Sequence, residues 1–237
     1  MKQRKPNRLK NYDYSKSGCY FVTICTDNRQ HYFGEIINGE VMLNEHGRIA
    51  YDMWKGLLKV FENIALDIFV VMPNHMHGII MIDNPPNEPV GDAYSEINNK
   101  NINSGKITTG RNESESPDMR PLQEIKRLQF NDNEGNDSNL IDMRPLQKID
   151  RSKMFLCKII QLYKSKVTRL INNKRRIKKI PEINIWQRSF YDRIIRSEKE
   201  FFNIQVYISE NPARWQTDIE NKLNKNPDKK YYENLFQ

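Results

Sequence analysis

A polar segment separates two parts of this chain in which apolar residues recur at the spacings of strands and helices. Residues 84–151 contain 16 apolar residues among 68, with 9 basic and 12 acidic side chains, a net charge of −3. The remaining 169 residues carry 29 basic and 18 acidic side chains, a net charge of +11. So few apolar side chains cannot offset the entropy lost on ordering a segment. We therefore expect the folded core to form from the two flanking parts.

The polar segment also contains a duplicated hexapeptide. The sequence DMRPLQ occurs at residues 118–123 and again at 142–147. Two copies are fewer than the three or so that a repeat fold needs, and loops tolerate insertions at low entropic cost. A short linear motif for a partner is the alternative reading. We predict one domain, formed by residues 1–84 and 152–215. A poorly ordered insertion over 85–151 interrupts it, and a charged tail over 216–237 follows it.

Outside the insertion, the hydrophobic pattern alternates between strand-like and helical periods. It predicts strands over 19–26, 65–72, 75–82 and 186–195, and helices over 45–61, 153–171 and 197–211. A hairpin over 33–44 turns at Asn38-Gly39, a pair typical of tight β-turns. Without this hairpin the order is β-α-β-β-α-β plus a last helix, the ferredoxin-like split βαβ order. The predicted fold is therefore α+β, an antiparallel sheet with helices on one face and a C-terminal helix that carries Tyr207.

Two of the four histidines stand two residues apart in the sequence VMPNHMHGII, residues 71–80. On a strand, His75 and His77 point to the same face, where two imidazoles can bind one metal ion. The alternative is a pair of polar side chains on a solvated sheet face. Imidazole ligands by themselves favour Zn²⁺ or Mn²⁺.

The predicted helix over 197–211 begins with Ser197 and Glu200, a capping-box pair. Tyr207 and Asn211 lie four residues apart and therefore share a helix face. Both lie just off the edge of the apolar arc, which leaves the tip of the tyrosine free. Pro212 disfavours helical geometry at Asn211 and places its amide in or just beyond the last turn. A packing role is the alternative for Tyr207, and Tyr191 is its main competitor as a reactive tyrosine.

The basic part of the chain predicts a polyanionic partner, nucleic acid or an anionic membrane surface. No apolar run approaches the 18 residues of a membrane-spanning helix. The three cysteines show no metal-ligand spacing and are typical of buried thiols in a reducing cytoplasm. The alternative for the basic side chains is a solvated surface. The candidate phosphate contacts are Lys164, Lys166, Arg169, Arg175, Arg176, Arg188 and Arg193.

The motifs FVTICT, PNHMHG, WQRSFYDRIIR and YISENP, in this order, resemble those of the single-tyrosine HUH transposases. Within them the chain is most similar to the REP-associated tyrosine transposases. Met76 is the bulky hydrophobe between the two histidines that gives the HUH motif its name. The resemblance covers roughly residues 14–83 and 153–215, and the insertion and the tail after Trp215 depart from it.

The resemblance implies a metal-dependent enzyme that nicks and transfers single-stranded DNA next to hairpins, through a covalent 5′-phosphotyrosine. It implies that Tyr207 is the nucleophile, that His75 and His77 bind the metal, and that Asn211 is a third polar ligand. The implied metal is Mg²⁺ or Mn²⁺, and the implied partner is single-stranded or hairpin DNA. Monomer and homodimer both remain open.

Two alternatives belong to other classes of function. A domesticated, non-catalytic relative would hold folded single-stranded DNA without cutting it. A small metal hydrolase would be active without forming a covalent bond to DNA. A covalent protein–DNA adduct separates both alternatives from the strand transferase.

Overall fold

The computed structural model describes residues 17–83, 154–224 and 227–235. The predicted insertion, its repeated hexapeptide and the first 16 residues lie outside the described residues. The strands are β1 (Gly18–Cys25), β2 (Gly34–Ile37), β3 (Glu40–Leu43), β4 (Ile64–Val71), β5 (His75–Ile82) and β6 (Tyr191–Ile195). The helices are α1 (Glu45–Lys55), α2 (Phe155–Ile177), α3 (Glu198–Glu210) and α4 (Lys229–Asn234).

Four of the strands form one antiparallel sheet in the order β4-β5-β1-β6. The two strands that follow each other directly, β4 and β5, are neighbours, while β1 lies between β5 and the last strand. This is the split βαβ arrangement, and it confirms the predicted α+β fold. The strands β2 and β3 pair separately as a hairpin. Its turn contains Asn38 at φ 52° and Gly39 at φ 80°, the left-handed conformation that the Asn-Gly pair favours.

The sheet has a buried core on each face, because alternate residues of a strand point in opposite directions. On one face Met76 and Ile80 of β5 belong to the larger core, which α1 and α2 cover. On the other face Ile79 and Met81 belong to a smaller core, which α3 covers. The odd-numbered residues of β5 therefore lie under α3, the helix that carries Tyr207.

The strand predicted over 186–195 is shorter in the structure and begins at Tyr191. Trp186 makes only an isolated bridge to Thr26 beyond the end of β1. Lys164 explains the interruption, because its ammonium group donates hydrogen bonds to the carbonyls of residues 187–189. Those carbonyls point to α2 and do not continue the ladder. The helix predicted over 45–61 also ends early, at Lys55, and continues as a short 3₁₀ turn.

The three cysteines are buried and form no disulfide bonds, as the sequence predicted. Two of them contribute to the cores as small apolar side chains: Cys157 to the larger core and Cys19 to the smaller one. Within residues 17–83, 154–224 and 227–235, the helices lack the combination of length and apolar content that crossing a bilayer requires.

Gly78 allows close packing between the centre of β5 and α1. A Cβ atom at this position would lie 2.7 Å from Cζ2 of Trp54 and 3.1 Å from Cβ of Phe69. We predict that Gly78→Ala lowers the free energy of unfolding by about 1–3 kcal/mol, because neither the indole nor the strand can move freely. Chemical denaturation followed by fluorescence measures the effect.

Gly56→Ala is the matched control, since a Cβ atom there has no neighbour within 4 Å. We expect this change to leave stability unaltered or to raise it by about 0.4–1 kcal/mol. Equal destabilisation by the two substitutions would contradict the packing described for Gly78.

Candidate metal and tyrosine site

The two histidines begin β5, immediately after the turn that connects it to β4. His75 pairs with Cys25 and His77 pairs with Thr23 in the central antiparallel ladder. Both side chains lie on the α3 face, as their spacing predicted, and their ring centroids are 4.5 Å apart. Their exposed fractions are 0% and 1%, so they are not on a solvated sheet face.

The helix α3 brings Tyr207 to this histidine pair. Ser197 caps the helix by accepting a hydrogen bond from the backbone N–H of Glu200, and the Glu200 carboxylate accepts from the N–H of Arg196. Two turns later the Tyr207 hydroxyl lies 3.1 Å from Nε2 of His77. The fixed start of the helix therefore sets the position of the phenol over β5.

Tyr207 is more buried than its place on the helix predicted. Its exposed fraction is 5%, and it belongs to the core beneath α3. The rings of Tyr231 and Tyr232, from the C-terminal helix α4, lie 6.1 and 5.8 Å from its ring. The hydroxyl end of Tyr207, predicted to be free, is therefore covered by residues of the predicted charged tail. Tyr191, the competing tyrosine, is 39% exposed on the edge strand.

Asp218 is a component of the site that the sequence analysis missed. The chain leaves α3 at Asn211, makes a 3₁₀ turn over Trp215–Thr217 and then places Asp218 beside the histidines. One ligand atom from each of His75, His77 and Asp218 lies within 4.8 Å of the others, and all three residues are buried. The sequence contains one cue, Trp215, whose ring stacks on His75 at 6.1 Å. An aromatic residue in a polar segment indicates that packing continues past the helix.

Asn211, the predicted third ligand, lies at the same site and contacts Asp218. It caps the C-terminal end of α3 in helical geometry, and its Nδ2 donates to Oδ2 of Asp218 over 2.7 Å. Its Oδ1 is buried and has no hydrogen-bond partner among the described residues. Nε2 of His75 is likewise buried without a hydrogen bond, 3.9 Å from Oδ2 of Asp218.

These unsatisfied atoms define what the site can bind. Buried polar atoms are normally hydrogen-bonded, and each exception requires an explanation. An imidazole nitrogen, an amide oxygen and a carboxylate are all ligands of divalent cations such as Mn²⁺. The residues present therefore fit a divalent metal ion, which would satisfy Nε2 of His75 and Oδ1 of Asn211 together.

Burial sets the protonation of the site. It lowers the pKa of His75 to about 3, and the neighbouring Asn211 amide opposes this shift only in part. Burial also lowers the pKa of His77 well below its ordinary value, and the adjacent His75 adds to the effect. Both imidazoles are neutral near neutral pH, as metal ligation requires. Burial and the Asp218 carboxylate raise the pKa of Tyr207 well above its ordinary value, so its phenol is protonated.

Four of the seven predicted phosphate contacts meet in one groove. Lys164, Arg169, Arg176 and Arg188 line a groove of about 510 Å³ between α2 and the segment before β6. The other three lie elsewhere. Arg175 donates to the carbonyl of Pro181, Arg193 pairs with Glu200, and Lys166 does not line the groove.

The groove lies at the same end of the sheet as the histidines. Trp186, which lines the groove, bridges to Thr26, and the backbone N–H of Thr26 donates to the carbonyl of Asn74. Asn74 immediately precedes His75. One residue of the groove lining is therefore linked through Thr26 to the turn that precedes His75.

No model of a known protein family matches. An uncharacterized protein of Haemophilus influenzae is 29% identical over 215 residues, which cover 91% of each chain. Among solved structures, a REP-associated tyrosine transposase bound to a REP hairpin matches with a TM-score of 0.45 and 14% identity. That match covers 88% of this chain and 73% of the other.

The buried histidines predict a loss of stability in mild acid. An imidazole of an unfolded chain has a pKa of about 6.5, whereas that of His75 in the folded chain is about 3. Between these values the unfolded chain binds the extra proton, so the free energy of unfolding falls as the pH falls. At about pH 5 the loss is about 2 kcal/mol for His75.

Urea denaturation in EDTA, at about pH 7.5 and about pH 5, measures this loss. Between these two pH values the free energy of unfolding should fall by about 2 kcal/mol less in His75→Gln than in the unaltered chain, because glutamine does not titrate. His46→Gln is the control, since His46 is less buried and lies outside the site. An equal pH dependence in His75→Gln and the unaltered chain would contradict the assignment.

Proposed function

We propose that this chain cuts single-stranded DNA by forming a covalent bond between Tyr207 and the 5′ phosphate at the cut. One observation carries the proposal: the Tyr207 hydroxyl lies 3.1 Å from His77 within the buried group formed with His75 and Asp218. A phenol next to a cation site is the arrangement that tyrosine-dependent phosphoryl transfer needs. The motif resemblance to single-tyrosine HUH transposases supports the same reaction, including strand transfer.

The residues that would hold the metal are His75, His77 and Asp218, with the amide oxygen of Asn211. A bound divalent cation would polarise the phosphate and offset the negative charge that develops on its oxygens. Mixed nitrogen and oxygen ligands suit Mn²⁺, while the motif resemblance also implies Mg²⁺. We therefore propose that the enzyme uses Mn²⁺ or Mg²⁺.

The protein's own groups carry the bond changes. The phenol oxygen of Tyr207 forms a bond to phosphorus, and the bond from phosphorus to the 3′ oxygen breaks. We assign the phenol proton to the Asp218 carboxylate, which lines the same small pocket as Tyr207. The released 3′ oxygen takes up a proton from water. The phosphotyrosine keeps the energy of the broken bond for rejoining the strand.

We propose that the basic groove binds the backbone of the same DNA. Arg188 is exposed at the groove, whereas Lys164 holds the carbonyls of residues 187–189 and contributes its charge from a fixed position. Contacts of this kind position a strand without reading its sequence. Preference for DNA next to a hairpin rests on the motif resemblance.

A second candidate function is DNA binding without cleavage. The observation that favours it is the burial of Tyr207 beneath Tyr231 and Tyr232. A phosphate reaches the phenol oxygen only if the segment 227–235 moves aside. If that segment stays in place on DNA, the chain binds a folded strand and does not cut it.

Covalent capture of DNA tests the proposed function. We predict that the full chain, with MnCl₂ and labelled single-stranded DNA that contains a hairpin, forms an adduct at Tyr207. Tyr207→Phe should reduce adduct formation by at least about 10³-fold, because the nucleophilic oxygen is removed. Denaturing gels detect the adduct, and digestion followed by mass spectrometry identifies the modified residue.

Tyr191→Phe is the matched control, because it removes the same atom from an exposed tyrosine outside the site. We expect it to form the adduct at an unaltered rate. Label on Tyr191, or full adduct formation by Tyr207→Phe, would disprove the nucleophile. DNA binding without any adduct, in either metal, would support the second candidate function.

The basic groove predicts a specific loss of DNA affinity. Arg188→Gln removes one exposed charge from the groove, whereas Lys59→Gln removes one exposed charge from the turn after α1. We expect Arg188→Gln to weaken binding of single-stranded DNA and to reduce the slope of log Kd against log salt by about 1. Fluorescence anisotropy across a salt series measures both quantities. Equal effects of the two substitutions would show that the groove has no special role.

A further inference from the structure

We propose that Asn74 and Thr23 are positioning residues that hold both site histidines in the tautomer with a proton on Nδ1 and a free lone pair on Nε2. The inference deepens the proposed function and rests on its metal site. A histidine binds a metal through an unprotonated ring nitrogen, and the hydrogen bond at the other nitrogen selects which one is free. The two residues have no other assigned part in the chemistry.

The orientation of the Asn74 amide fixes the tautomer of His75. Asn74 is fully buried, and its Nδ2 donates to the carbonyl of Glu220 over 2.8 Å. Its Oδ1 is therefore the atom that lies 2.7 Å from Nδ1 of His75. Because an amide oxygen only accepts hydrogen bonds, Nδ1 must carry the proton. The neutral ring then has its lone pair on Nε2, which is the buried atom without a hydrogen bond.

Thr23 contacts the second histidine in the corresponding way. Its Oγ1 lies 2.8 Å from Nδ1 of His77, and on the opposite side of the ring Nε2 lies 3.1 Å from the Tyr207 hydroxyl. A threonine hydroxyl can donate or accept, so Thr23 alone does not decide the tautomer.

The surroundings of Tyr207 decide it. Among the described residues, the hydrogen-bond partner of the buried Tyr207 hydroxyl is Nε2 of His77, 3.1 Å away. A buried hydroxyl must donate its proton to an acceptor, so the phenol donates to Nε2 of His77. The ring must consequently carry its proton on Nδ1 and donate it to Thr23.

Asn74 also connects the histidines to the segment that carries Asp218. Its side chain bonds to Glu220, two residues after Asp218, and its backbone carbonyl accepts from both the N–H and the hydroxyl of Thr26. The ends of β1, β5 and the Asp218 segment thus meet at one residue. We infer that Asn74 sets both the ring orientation of His75 and the distance between His75 and Asp218.

The first test reads the tautomers directly in the metal-free full chain. Labelling with ¹⁵N-histidine and recording two-bond ¹H–¹⁵N correlations distinguishes a protonated from a free ring nitrogen. The chain contains only four histidines, so His75→Gln and His77→Gln suffice to assign the two signals. We expect protonated Nδ1 and free Nε2 in both. A protonated Nε2 in either histidine overturns the proposal for that residue.

The second test uses matched substitutions and titration with MnCl₂ by calorimetry. Thr23→Val keeps the shape of the side chain but removes the acceptor, whereas Thr23→Ser keeps the acceptor. We expect Thr23→Val to shift the His77 signals towards a tautomer mixture and to weaken Mn²⁺ binding by about 10–100-fold. Thr23→Ser should restore both. Unchanged signals and affinity in a folded Thr23→Val protein overturn the role of Thr23.

Asn74→Asp separates the two functions of Asn74. A carboxylate still accepts from Nδ1 of His75 but cannot donate to Glu220. We expect the His75 tautomer to persist while Mn²⁺ binding weakens through the displaced Asp218 segment. Asn74→Leu should lose the His75 tautomer preference and also weaken Mn²⁺ binding. A His75 tautomer unaltered by Asn74→Leu overturns the role of Asn74.

These outcomes are distinguishable from a failure of the proposed function. If the tautomers and the Mn²⁺ affinities respond as expected but no DNA adduct forms, the positioning role is supported and strand cleavage is disproved. If the adduct forms and the tautomers do not respond, the proposed function stands and the positioning role is overturned. Thermal unfolding of each variant confirms that the comparison is made between folded proteins.

Discussion

The site depends on the register between β1 and β5, the two central strands of the sheet. In this register Thr23 lies opposite His77, and Cys25 lies opposite His75. A slip of one residue would turn both histidines to the other face of the sheet, because side chains alternate along a strand. The register is secured from both sides, since Met76 and Ile80 fill the larger core while Ile79 and Met81 fill the smaller one. The hydrophobic pattern therefore fixes the position of the polar residues.

The two faces of the sheet have different tasks. The face under α1 and α2 is an apolar core that includes Trp54 and Tyr163, whose rings meet edge to face at 5.2 Å. The face under α3 combines a smaller core with buried polar side chains at one end. Buried polar groups with unsatisfied atoms cost stability. A fold can hold such groups when a large core elsewhere supplies the stabilisation, and the two faces of this sheet provide that separation.

The sequence predicted the parts of the site that depend only on residue spacing within one strand or one helix. The spacing of His75 and His77 on a strand, and of Tyr207 and Asn211 on a helix, needs no knowledge of the rest of the fold. Asp218 was missed because its position depends on a reversal of the chain after Asn211, which has no periodic signal. The burial of Tyr207 was missed for the same reason, since the residues that cover it come from the C-terminal segment. The strand over 186–195 was predicted too long because Lys164, distant in sequence, binds its carbonyls.

Burial affects the proposed chemistry in two opposite ways. Exclusion of water and the nearby Asp218 carboxylate raise the pKa of Tyr207, so the metal-free phenol is a poor nucleophile near neutral pH. The same low-dielectric surroundings strengthen the effect of any positive charge placed among His75, His77 and Asp218. A cation there would compensate the Asp218 charge that now opposes ionisation of the phenol. Under the proposed function, the reactivity of Tyr207 therefore depends on whether the metal site is occupied, because charges interact strongly in a site without water. An exposed tyrosine such as Tyr191 would lack this dependence.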